Sequence, residues 1–101
     1  MILANIANLI RSKNAGPFTL TFDIMFADRA SYLRVKESKV LKPALFAQLY
    51  CCPVEEVRFF DCENALAFKF SIPRPLAQGE LGDGDMHGGQ QFVPLMKVEI
   101  P

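Results

Sequence analysis

The chain's 101 residues suit one domain, 1–101, built around a single hydrophobic core. Eleven basic residues balance eleven acidic ones. This removes the electrostatic case for nucleic acid or an anionic membrane, since phosphate binding needs a concentrated basic surface. Half of the residues are apolar, nine of them phenylalanine, and with near-zero charge that composition points to a homo-oligomer with a buried contact.

The apolar run over residues 2–10 is far shorter than a membrane span and is interrupted by Asn5 and Asn8. It follows no basic segment, so it does not read as a signal peptide. The three cysteines, Cys51, Cys52 and Cys62, are odd in number, and two are neighbours that bridge only with strain. They read as buried free thiols, and the whole as a cytoplasmic protein.

In chain order, residues 3–11 are mostly apolar and predict a buried strand entering a loop, although Ile6, Leu9 and Ile10 also fit a helical stripe. Residues 11–18, Arg-Ser-Lys-Asn-Ala-Gly-Pro-Phe, form a polar cluster between apolar stretches and read as that loop. Over 18–26, Phe18, Leu20, Phe22, Ile24 and Phe26 alternate with Thr19, Thr21, Asp23 and Met25, the strongest strand signal in the chain.

Asp28 is placed to cap a helix over 29–37 with Tyr32, Leu33 and Val35 on its apolar face. Pro43 opens a second helix over 43–50, facing inward through Leu45, Phe46 and Leu49 and ended before Pro53. A short strand at 57–60, a turn at 61–64 and an alternating strand over 65–72 predict an antiparallel hairpin. Residues 76–91 hold five of the six glycines and read as one long loop. Residues 95–100 predict a terminal strand, with Pro94 at an edge or bulge. The order ββααβββ implies an α+β fold, a single antiparallel sheet covered by about two helices, ferredoxin-like or a related two-layer sandwich.

Two loops carry the candidate chemistry. In the first, Arg11 can hold a carboxylate or phosphate through paired hydrogen bonds, and Lys13 adds a mobile charge. Gly16 lets backbone amides converge on an anion, while Ser12 and Asn14 can orient it. The same residues would also make an ordinary solvated turn. In the second, Asp83, Asp85 and His87 could offer oxygen and imidazole to a divalent metal, but the remaining ligands of a calcium loop are missing. No metal and no cofactor is therefore assigned. His87 or Asp85 could instead carry a proton, and Gln90 could donate an amide hydrogen bond. No hydrolase elbow, dinucleotide fingerprint or phosphate-binding loop occurs. Lys36, Lys39 and Lys42 read as a solvated basic face.

The run over 10–18, the segment Asp23-Ile24-Met25-Phe26, and the later pieces 65–69, 72–75 and 88–91 resemble the family catalogued as domain of unknown function 4387. The resemblance spans nearly the whole chain. More distantly, the layout is similar to the small C-terminal ferredoxin-fold domain of acyclic terpene utilisation (AtuA-like) proteins. There an Arg-Ser-Gly-Asp-Lys-Gly loop stands where Arg11 to Gly16 stand here, and Lys13 and Asn14 replace its Gly-Asp pair. The resemblance implies a small partner of a larger AtuA-like subunit in organic-acid or acyl-CoA metabolism.

The resulting expectation is an accessory subunit binding an acyl or carboxylate metabolite. Its ligand-binding set is Arg11, Ser12, Lys13, Asn14, Gly16, Asp85, His87 and Gln90. The alternatives are a stand-alone lyase or hydratase using His87 or Asp85, and a structural oligomerisation module. Whether the protein is an enzyme stays open.

Overall fold

The computed structural model describes residues 1–15, 18–73 and 93–101, the side chains of residues 93 and 94 excepted. A one-turn helix α1 (Leu3–Ile6) precedes strand β1 (Leu9–Asn14), which pairs with β2 (Thr19–Met25). Two helices follow, α2 (Arg29–Ser38) and α3 (Pro43–Tyr50), and then the hairpin β3 (Arg58–Cys62) and β4 (Ala67–Pro73). A last helical turn, α4, spans Val93–Met96. The four strands form one antiparallel sheet in the order β1-β2-β4-β3, which is the two-layer α+β class that the alternation predicts. The strands and the two central helices follow in the order ββααββ, which differs from the ferredoxin-like βαββαβ, so the fold is a two-layer sandwich of another chain order.

Local chemistry sets the element ends. The Asp28 carboxylate accepts the Ser31 backbone N–H at 2.7 Å, capping α2, and that bond holds the Asp28 carboxyl below its ordinary range. Pro43 occupies the first turn of α3, where its missing N–H costs nothing. Lys39 and Cys51 end the two helices in the left-handed region, at φ 57° and 54°. A 3₁₀ turn, Glu63–Ala65, and a left-handed Leu66 reverse the chain between β3 and β4.

Period-two geometry sends alternate side chains to opposite faces. Leu20, Phe22, Ile24 and Phe26 on the β2 side and Phe68, Phe70 and Ile72 on β4 are buried. They meet the helices through rings: Phe46 stacks on Phe70 with centroids 3.7 Å apart and meets Phe22 edge-on at 5.4 Å, while Tyr32 stacks on Phe68 at 5.0 Å. Tyr32 also donates its hydroxyl hydrogen to Asp61 on β3. Lys36 lies 3.0 Å from the same carboxylate and 3.4 Å from Glu63, and Arg29 pairs with Glu63. The lysines at 36, 39 and 42 are all exposed, as a solvated face requires, and Lys36 in addition joins α2 to the hairpin.

Four expectations change. The N-terminal apolar run is not one strand: it is broken into α1 and β1, because Leu3 docks fully into the core and Ala7 N–H closes a turn on Leu3 O at 2.9 Å. Residues 11–14 are strand rather than loop, with Arg11 opposite Asp23 and Lys13 opposite Thr21. The C-terminal segment is a helical turn plus an isolated bridge, Ile2 to Glu99, instead of a strand. Pro94, at the start of that turn, suits a helix opening as well as it suits a strand edge. Finally, the cysteines are free but not buried: Cys51 and Cys62 are exposed and Cys52 is half-buried.

The chain ends close on each other. Met1 and Ile100 exchange backbone hydrogen bonds, Leu3 N–H reaches Val98 O at 2.7 Å, and Leu3, Leu95 and Ile100 are buried together in the core. Among the described residues, no helix is long and apolar enough to cross a membrane.

Candidate functional site on the outer sheet face

Directly opposed residues in an antiparallel sheet point to the same side, about 4.5–5.5 Å apart. The register therefore writes out the face turned away from the helices. One row runs Arg11, Asp23, Lys69, Phe60, and the next runs Lys13, Thr21, Ser71, Arg58. A third, Leu9, Met25, Ala67, Cys62, lies beyond the first. Four cations from three strands thus share a surface on which the strands supply one acid, Asp23.

That acid is committed. Arg11 Nε–H donates to Asp23 Oδ2 at 2.9 Å, with the aspartate side chain only 14% exposed. Among the described residues Lys13, Arg58 and Lys69 are exposed and without an ion pair. Thr21 between them is buried at 3% exposure, which keeps its hydroxyl close to the sheet.

An open hollow of about 950 Å³ lies over the β2, β4 and β3 part of this face. Arg58 and Lys69 bring cations to it, and Thr19, Thr21 and Ser71 bring hydroxyls. Phe60 and Cys62 give it an apolar flank, and Glu55 and Glu56, from the 3₁₀ turn Val54–Glu56 before β3, stand on its rim. This is a concave surface with a few convergent polar groups, the usual form of a small-molecule site.

The structure sorts the sequence-derived site residues. Arg11 and Lys13 are brought to the outer face together, Lys13 beside the hollow's Thr21. Ser12 points the other way, opposite Phe22, and is 6% exposed; Asn14 follows the same alternation. Gly16, Asp85, His87 and Gln90, with Asp83, lie outside the described residues. Among the described residues no three His, Cys, Asp or Glu side chains form a metal cluster.

Sequence reasoning missed Arg58, Lys69, Ser71, Glu55 and Glu56. The available signal was the alternation itself, since Lys69 and Ser71 are the polar positions of β4 and Arg58 and Phe60 share a parity on β3. Only the strand order brings Arg58, Lys69 and Ser71 onto the face that carries Lys13 and Thr21.

The family described as Domain of unknown function (DUF4387) matches residues 3–99, nearly the whole chain. No curated protein and no solved structure matches significantly.

Proposed function

Taking as premise that the chain belongs to the DUF4387 family, we propose that it is a small accessory subunit that binds an acyl or carboxylate metabolite on its outer sheet face. One observation carries this reading: Arg58 and Lys69, exposed and without ion pairs among the described residues, border one hollow together with Thr21 and Ser71, and Lys13 stands beside Thr21 on the same face. A charged donor to a carboxylate makes a stronger hydrogen bond than a neutral one, worth about 1.5–3 kcal/mol. Arg11, fixed by Asp23, holds the β1 edge of this surface in place and adds positive potential. The resemblance to the small AtuA-like domain supports a larger AtuA-like protein as the partner, and the free cysteines support the cytoplasm as its place of work. Phe59 and Phe60, 37% and 49% exposed on edge strand β3, support self-association.

Calorimetry with acetate, butyrate and butyryl-CoA tests the ligand. The double variant Arg58→Ala, Lys69→Ala should lose at least about tenfold in affinity, since about 1.4 kcal/mol is one decade. Unchanged binding in that variant would refute the site. Affinity purification of the tagged chain from its native cells tests the partner: a larger AtuA-like protein is expected by mass spectrometry, and its absence would remove the subunit reading. Light scattering reads the oligomeric state.

A further inference from the structure

We propose, resting on the reading of the outer face as a carboxylate site, that the hollow selects an amino acid with an apolar side chain. The carboxylate lies on Arg58 and Lys69, and the ammonium lies against Glu55 and Glu56.

The two sides of β3 differ in how charge is disposed. On the helix side Arg29, Lys36, Asp61 and Glu63 are linked by ion pairs. On the outer side two cations and two carboxylates border one hollow of about 950 Å³, all exposed and, among the described residues, without an ion pair. Glu55 and Glu56 come from the 3₁₀ turn, and Arg58 and Lys69 from the hairpin strands, so the opposite charges reach the hollow from different elements.

A ligand carrying only negative charge gains from the two cations and is repelled by the two carboxylates, and each added phosphate deepens the repulsion. The four groups sum to zero, so a ligand of zero net charge with separated poles satisfies both pairs of charges at once. Phe60, 49% exposed on the apolar flank, and Pro73 supply apolar surface for a side chain. The face of the Phe60 ring is also a favourable neighbour for an ammonium group.

Two-dimensional ¹H–¹⁵N NMR titration of the full chain tests this with L-phenylalanine, 3-phenylpropanoate, which lacks the ammonium, and 2-phenylethylamine, which lacks the carboxylate. Amides of residues 55–62 and 69–71 should shift, and L-phenylalanine should bind at least about tenfold more tightly than either single-charge analogue. In Glu55→Gln, Glu56→Gln, whose unchanged spectrum elsewhere verifies folding, the preference for L-phenylalanine over 3-phenylpropanoate should vanish while 3-phenylpropanoate still binds. Equal or tighter binding of 3-phenylpropanoate by the unmodified protein would overturn the amino-acid assignment and leave the carboxylate site standing. A preference that survives the double variant would overturn the role of the two glutamates. Binding of neither carboxylate would overturn both readings.

Discussion

Lys39 holds a left-handed conformation at the end of α2 although it has a side chain that disfavours it. A non-glycine residue there costs roughly 1–2 kcal/mol, part of which glycine returns through its more flexible unfolded state. Lys39 is exposed and without an ion pair among the described residues, so Lys39→Gly should stabilise the fold by about 0.5–1 kcal/mol in urea denaturation. The charged cluster between α2 and β3 sets a pH response. Burial pushes the Asp61 carboxyl up, but hydrogen bonds from Tyr32 and Lys36 outweigh it, leaving Asp61 below its ordinary 3.8. Arg29 and then Lys36 hold Glu63 below 4.5. Carboxyls lowered in the folded state stabilise it above their unfolded values and lose that contribution as pH falls through the folded ones. Melting temperature should therefore fall as pH drops from about 5 toward 3, and Asp61→Asn should have a lower Tm at pH 7 and a shallower acid limb. An acid limb as steep as in the parent protein would place the response elsewhere.

At the scale of elements, the strength of a sequence signal followed how asymmetric each element's environment is. Strand β2 and helix α2 have one apolar face and one polar face, and Pro43 and Pro53 bracket α3, so all three were readable almost to the residue. Strand β1 was not, because Ser12 and Asn14 face the helix side while Arg11 and Lys13 face outward, so polar residues stand on both sides and alternation disappears. Phe18 misled in the opposite sense: it continues the β2 alternation in sequence but stands outside the strand and is 63% exposed. Of the site, Arg11 and Lys13 were legible as cations in a polar run. Arg58 and Lys69 were not, since they share a face with Lys13 only through the β1-β2-β4-β3 order. The helix layer depends most on Phe46, fully buried between Phe22 and Phe70. Phe46→Ala should cost about 3–5 kcal/mol in chemical denaturation, the range for emptying an aromatic core site.

For the whole molecule, the last residues are part of the core. Ile100 is 1% exposed and its N–H bonds Met1 O at 2.7 Å. Ile100→Ala should cost roughly 2–5 kcal/mol, in contrast to the near-neutral effect expected of a frayed tail. The pairing of the first and last residues also makes the fold a nearly closed ring. Anything appended at either end leaves the surface from one spot, so two fluorophores, one on each terminus, would exchange energy efficiently in the folded protein. They would separate on unfolding, and the molecule would then report its own integrity without a reporter placed anywhere near the sheet.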